Sequence, residues 1–416
     1  MGIFLWDTAP SKIFVWWSEV ASVWAGDTKV RPSIKYKTYT IVWNETSDPT
    51  QFFVRYEDDA ALLTQWSTDF DEFFWYSAVK LSATWTETSE VTQSSPWVLD
   101  ITQLWTLTSG DNVMIKFPVR WIKMSKSWSQ VTLSITDEPL KSWFQYYAFT
   151  RWTTLKDYLY LWAYMGSESS SRLRSWSGQS RKSSSSATTW INYLWMDNSV
   201  TLAQAYWYWY DIETWWARQY VNALYMMKYW NPNSQWVIWQ WLCNGSSWYS
   251  YWPTWATNSI TNATWATSTA NSWRIKLFWL EDWRWNISEW ANWITVGANY
   301  VTKVWTLKSN QSGKISDFTC YDVVSWTSTS DTIQWAECRN IASIVWTNLW
   351  MFIWNTSSWS TANYYYSDPF YPNNNNSDLT VWWSYWHSNS LTWIFCVYFP
   401  QNWDAAAMNW ARLMYL

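Results

Sequence analysis

The chain has 416 residues, 28 of them basic and 32 acidic, for a net charge of −4. That length accommodates two or three domains with an ample core. The mild charge argues against the concentrated basic face that phosphate binding needs, so no nucleic-acid partner is expected. Only 14% of residues are charged, and Ser, Thr and Asn fill much of the remainder, a texture of β-rich extracellular or virion proteins more than of cytosolic enzymes. The anomaly is 8 glycines beside 49 tryptophans. Glycine ordinarily supplies roughly 7% of residues, about 29 in a chain this long. A loop-rich β protein can hardly close its turns with so few, because tight turns and bulges need φ > 0.

The first 33 residues hold a ten-residue quasi-repeat. Residues 13–20 read IFVWWSEV and residues 23–30 read VWAGDTKV, so Ile13 aligns with Val23, Val20 with Val30 and Trp16 with Gly26. Short apolar alternation around a turn predicts two small hairpins. Tryptophan also recurs beside turn formers, at Trp43-Asn44, Asp282-Trp283, Trp285-Asn286 and Trp403-Asp404, where turn chemistry puts glycine. The pattern fits a gene that reads UGA as glycine, translated with a table that reads UGA as tryptophan. The alternative is an authentically Trp-rich chain, and the codons decide between them. The start, Met1 to Asp7, has neither a basic n-region nor a sustained apolar run, so no signal peptide is expected.

Residues 34–108 read as a small β-rich domain. Tyr36 to Val42 and Gln51 to Tyr56 alternate as half-buried strands do. The Ser/Thr-rich stretch 84–95 reads as an exposed loop or linker. From about residue 109 the character changes, with strands predicted at Val113 to Pro118 and Val131 to Ile135. Residues 167–186 are Ser-rich and basic (Arg172, Arg174, Arg181, Lys182); a solvated loop is preferred to an anion site there. Ala217 to Tyr229 has helical apolar spacing through Val221, Leu224, Tyr225 and Met226, a core helix. Residues 245–272 and the run Asn373 to Asn376 read as long surface loops. No stretch reaches the roughly 18–20 apolar residues of a membrane span; the nearest, 341–354, contains Thr347 and Asn348.

The most specific landmark runs from Phe278 to Trp293. With glycine at 279, 285 and 293, the sequence Phe278-Trp279-Leu280-Glu281-Asp282-Trp283-Arg284-Trp285-Asn286-Ile287-Ser288-Glu289-Trp290-Ala291-Asn292-Trp293 resembles a G-I-E-[ND]-x-x-G-N-V-x-E-W-x-D-G signature. That signature belongs to the C-type-lectin fold shared by formylglycine-generating enzymes and the variable proteins of diversity-generating retroelements. Trp290 falls where the family itself has tryptophan, and Ser288 replaces a common aromatic. Other landmarks follow the family's order: Tyr147-Ala148-Phe149 with Leu161-Trp162-Ala163-Tyr164, then Leu173 to Gly178, then Tyr229 to Trp241, then Val381 to Tyr385, Trp393-Ile394-Phe395 and Trp410-Ala411-Arg412-Leu413. Trp16, Trp162, Trp239, Trp241, Trp382, Trp383, Trp393 and Trp410 fall on glycines of the repeat or of these motifs, whereas Trp24 and Trp290 do not. Separately, Lys12 to Trp16 and Val23 to Asp27 resemble an element of phage tail and baseplate proteins.

The resemblance implies an α+β chain. Residues 109–416 would form a C-type-lectin fold (mixed β with few helices and long loops), preceded by the hairpin repeat 1–33 and the β-rich domain 34–108. It implies a binding protein rather than an enzyme, with a ligand face near the C-terminus, in a variable tail of about 382–413. The positions matching that face are Ser384, Tyr385, His387, Asn389, Ser390, Cys396, Tyr398, Phe399, Gln401, Asp404 and Asn409. Their mixture of imidazole, thiol, aromatics, amides and acid suits randomisation for binding, with aromatic anchors for protein or glycan. The implied partners are a host cell-surface protein or glycan and, through the N-terminal region, phage tail or baseplate proteins. The implied location is the virion or, alternatively, a bacterial cell surface. A homotrimer is the assembly common among related tail proteins. The second function class is a structural tail component whose lectin-like domain only decorates the particle.

Enzyme readings are weaker. His387 is the chain's one histidine, and no acid–base partner pattern surrounds it. Glu281 and Asp282 are adjacent, so in an extended segment they point apart rather than converging as a glycosidase pair does; in the resembled family this Glu is structural. A formylglycine-generating oxidase needs a reactive cysteine pair, and Cys320 and Cys338 sit on no such motif. The four cysteines (Cys243, Cys320, Cys338, Cys396) lack CxxC spacing, so zinc is not expected; a Cys320–Cys338 disulfide is allowed but not required. Asp58-Asp59 with Asp69 and Asp71 lack the spacing of a calcium loop and read as a solvated face. No cofactor is expected.

Overall fold

The computed structural model describes residues 14–15, 18–19, 23–25, 28–31, 36–44, 54–62, 73–74, 76–84, 86–90, 93–95, 98–99, 111–127, 130–139, 141–151, 154–164, 167–169, 172–175, 196–206, 210–229, 276–281 and 283. Beyond these it describes the strands 288–296, 302–308, 318–324, 336–338, 341–344, 349–354, 357–358, 369–371, 377–381, 397–398, 409–411 and 413–415, mostly as backbone. The described residues are mostly β-sheet with few helices, an α+β architecture.

A four-stranded antiparallel sheet runs in the order Trp121–Ser127, Gln130–Thr136, Thr38–Asn44, Val54–Asp58. Its register puts Tyr39, Ile41 and Trp43 opposite Ile135, Leu133 and Val131, and all six are buried. The opposite face is a hydroxyl ladder. Thr40 Oγ1 lies 2.8 Å from Ser134 Oγ, and Thr38 Oγ1 donates to Thr136 Oγ1 at 3.0 Å. One apolar face and one polar face is the period-2 pattern of a strand packed on one side. Phe73 closes the apolar face, its ring 4.3 Å from that of Tyr39.

A six-stranded antiparallel sheet follows the order Tyr210–Ile212, Leu413–Tyr415, Tyr158–Trp162, Asn112–Pro118, Ser77–Leu81, Glu87–Glu90. Helix α1 (Met196–Gln204) packs on one end of one face, where Val200, Ala203 and Tyr206 join Met114, Trp162, Tyr210 and Ile212. Helix α2 (Trp215–Tyr229) covers the other face: the Tyr220 ring meets Phe117 at 6.0 Å and Phe149 at 4.8 Å. All fifteen residues of α2 are buried. It starts because Thr214 caps it, Oγ1 accepting from the Ala217 N–H at 3.2 Å. Lys228 stands in its last turn, the favourable end of the helix dipole for a cation.

Three expectations change here. Strands from both sides of residue 108 share both sheets: Thr38–Asn44 pairs with Gln130–Thr136, and Ser77–Leu81 with Asn112–Pro118. The compositional shift near 109 is therefore crossed by strand pairing. The stretch 84–95 contributes strands Glu87–Glu90 and Gln93–Ser95; threonine's β-branch favours a strand, and a polar, charged strand suits a sheet edge. The Ser-rich run opens as a hairpin, Ser167–Ser169 with Arg172–Arg174, and Leu173, Arg174 and Ser175 are buried. Arg174 Nη2 donates to the Asp111 carbonyl at 2.9 Å, while burial pulls its pKa below the usual arginine range. Arg181 and Lys182 lie outside the described residues.

A nine-stranded mixed sheet holds the later part of the chain, in the order 318–324, 302–308, 288–296, 377–381, 397–398, 369–371, 336–338, 357–358. Strand 409–411 adds to 288–296 in parallel. Among the described residues no helix is long and apolar enough to cross a membrane.

Candidate functional site

Strand Ser288–Val296 carries Glu289 and Trp290 of the landmark, and both ends of the expected variable tail meet on it. Val381 pairs with Glu289 and Thr380 with Trp290. From the C-terminal side, Asn409 pairs with Ser288, Trp410 with Glu289 and Ala411 with Trp290. A strand has two edges, so residues 382–408 leave from one edge of this strand and return on the other. Midway, Tyr398 pairs with Thr380 and with Tyr371. The tail is thus tied to one sheet at its start, near its middle and at its end. Of the expected ligand-face residues, Tyr398 and Asn409 fall on these strands. Ser384, Tyr385, His387, Asn389, Ser390, Cys396, Phe399, Gln401 and Asp404 lie outside the described residues.

What holds the central strand is a buried polar lattice that sequence reasoning missed. The Asn292 N–H donates to the Glu213 carbonyl at 2.8 Å, and its Nδ2 donates to Asp211 Oδ1 at 3.1 Å. Asp211 Oδ1 also accepts from the Ile212 N–H at 2.8 Å. Glu213 Oε1 lies 3.1 Å from Arg218 Nε, one turn into α2. Arg218 Nη1 donates to the Trp283 carbonyl at 3.2 Å, and its guanidinium stacks 4.0 Å from the centre of that indole. Asp211, Glu213, Arg218 and Asn292 are all buried. The Arg218 guanidinium thus ties α2 to Trp283, and the Asn292 bonds to the Glu213 main chain and to Asp211 tie the landmark strand beside the ion pair. Asn292 was visible as part of the landmark. Asp211, Glu213 and Arg218 carried no local signal, because their partners come from distant sequence.

Glu281 stands in a buried hairpin. Lys276–Leu277 and Leu280–Glu281 form a hairpin in which Lys276 and Glu281 face each other, both buried. Burial lowers the Lys276 pKa to about 8, against the opposing pull of the Glu281 carboxylate. The Glu281 N–H donates to the Ala163 carbonyl at 2.7 Å, fastening the hairpin to the six-stranded sheet. Asp282 lies outside the described residues.

Two acidic candidates serve the fold. Asp59 Oδ2 accepts from the Thr38 N–H at 2.7 Å and Asp58 Oδ2 from Thr40 Oγ1 at 2.6 Å; Asp69 and Asp71 lie outside the described residues. Among the described residues no three His, Cys, Asp or Glu side chains gather as a metal site would require. Cys320 and Cys338 lie on strands 318–324 and 336–338 with five strands between them in the sheet order; Cys243 and Cys396 lie outside the described residues. Comparison with family models finds no match, and comparison with curated proteins finds none either.

Proposed function

We propose that the chain is a non-enzymatic ligand-binding protein of the C-type-lectin fold, of the kind diversified by retroelements. In this reading it is carried on a phage tail and recognises a host surface protein or glycan through residues 384–409. The observation that carries the reading is the three-point attachment of the tail to one sheet. A segment held at its ends and middle by backbone pairing tolerates side-chain change between those points, and binding residues concentrate on loops placed by a rigid scaffold. The ordered landmarks from Tyr147 to Leu413 support the same reading, and the buried lattice at Asn292 supports a stiff platform beneath the tail.

The test is adsorption of the purified protein to host cells, compared with Tyr398→Ala and Phe399→Ala. Loss of adsorption with an unchanged unfolding midpoint supports the assigned face; full adsorption by the double variant removes it. In the coding DNA, a near-identical downstream template repeat differing mainly at adenines, beside a reverse transcriptase gene, separates a diversified binder from a decorative tail domain.

A further inference from the structure

Strand registers give a criterion for glycine that owes nothing to the family landmarks. Among the described strand pairs, seven hairpins close with two residues between paired positions. Val15 pairs with Ser18, Ala25 with Thr28, Ser95 with Val98, Ser127 with Gln130, Arg151 with Thr154, Ser169 with Arg172 and Leu277 with Leu280. The intervening pairs in the sequence are Trp16-Trp17, Gly26-Asp27, Pro96-Trp97, Trp128-Ser129, Trp152-Thr153, Ser170-Ser171 and Phe278-Trp279. Five of the seven contain tryptophan, and a sixth contains one of the rare glycines. Two-residue hairpins favour turns with φ > 0 at the first position or at both, the geometry that glycine supplies. Gly-Asp, Gly-Ser and Gly-Thr are ordinary fillings; a leading tryptophan is not.

The backbone at two described tryptophans agrees, one in these hairpins and one outside them. Trp279 has φ 65°, after Phe278 at 48°, so both central residues of that hairpin are left-handed as in a type I′ turn. Trp143 has φ 70° in a turn closed by the Phe144 N–H donating to the Lys141 carbonyl at 3.1 Å. A positive φ at the third residue alone is the glycine position of a type II turn. Asp58, at 54°, needs no such account, because aspartate tolerates this region.

We infer that glycine is the residue this fold carries at 16, 128, 143, 152 and 279. Positions 128, 143 and 152 lie on no repeat or family motif, so the decoding assignment extends beyond the landmarks that first suggested it. It follows that Trp143, 65% exposed and the most exposed large apolar side chain among the described residues, is not a ligand contact. The inference stands on register and φ, not on the ligand-binding reading, and adsorption experiments leave it untouched.

The direct test is peptide mass spectrometry on the protein isolated from the cells or particles that make it. Trypsin releases 127–141, 142–151 and 277–284, which carry positions 128, 143 and 279. Glycine at these three is expected; tryptophan at them overturns the inference. The second test uses the chain that carries tryptophan at these positions. Trp143→Gly should raise the unfolding midpoint by about 2 °C or more, and at 143 and at the buried Trp279 the glycine variant should stand above the matching alanine variant, because alanine keeps the Cβ that left-handed backbone penalises. Alanine variants equal to or above the glycine variants would contradict a backbone demand at those sites.

Discussion

At the start of α2, Trp215 and Trp216 follow the Thr214 cap on helical backbone and are buried. At 143 and 279 the same side chain sits on left-handed backbone, and at 143 the ring projects into solvent. In the helix, packing decides what the residue is worth: Trp216 meets the Tyr147 ring at 5.1 Å. At 143 backbone geometry decides and the exposed ring contributes little; at 279 the same backbone demand meets a buried ring, 5.6 Å from the Lys276 Nζ. The excess tryptophan is therefore not one population, and a count alone cannot separate its members. Register and φ can, because they ask what the main chain needs before asking what the side chain touches.

Deleting rings is the sharpest way to break this contrast. Trp216→Ala should cost about 3–5 kcal/mol, as truncating a large buried aromatic does. Trp143→Ala should stay within roughly 0.5 kcal/mol, as exposed substitutions do. Chemical denaturation of both reads the difference, and similar costs at the two sites would erase the distinction. Removing one member of the lattice at the helix start should be comparably severe. Arg218→Ala leaves Glu213 buried without its cation and should cost about 3–5 kcal/mol, whereas Glu213→Leu with Arg218→Met should recover most of that loss. If the single and double variants are equally destabilised, packing rather than charge pairing holds the site.

A smaller effect probes the helix cap itself. Thr214→Ala should lower stability by about 1 kcal/mol, since the Ala217 N–H loses its acceptor. Thr214→Ser should retain most of it. A null result for alanine would mean that tertiary contacts, not the cap, fix where α2 begins.

Much of the first sheet was legible because its information is local. The alternation at 36–42 and 131–135 led to strands Thr38–Asn44 and Gln130–Thr136, and the spacing at 217–229 to a helix beginning two residues earlier. Trp43-Asn44, read as a turn pair, instead ends a strand, with Trp43 opposite Val131 and Val54; propensity yielded to pairing. The strands at 87–95 and the hairpin at 167–174 were hidden by serine and threonine, which serve loops and polar strand edges alike. The sharing of sheets across residue 108 and the Asp211–Asn292 lattice depend on contacts between distant segments, which no local window contains. Of the eleven residues expected at the ligand face, Tyr398 and Asn409 stand in sheet register and the other nine lie outside the described residues.

The smallest effect belongs to Lys276. In the folded chain burial lowers its pKa from the ordinary 10.5 to about 8, with Glu281 opposing the shift. Between those values the unfolded chain holds a proton that the folded chain has released, so stability rises with pH across that window. Read downward, stability is lost as pH falls from 10.5 and the loss is complete near 8, below which both forms are charged and no slope remains. Lys276→Met should flatten the rise between pH 8 and 10.5 while leaving other titrations in place. Midpoints measured across that range decide it. A slope that survives in Lys276→Met would assign the effect to another group and leave the hairpin around Trp279 constrained by its turn alone.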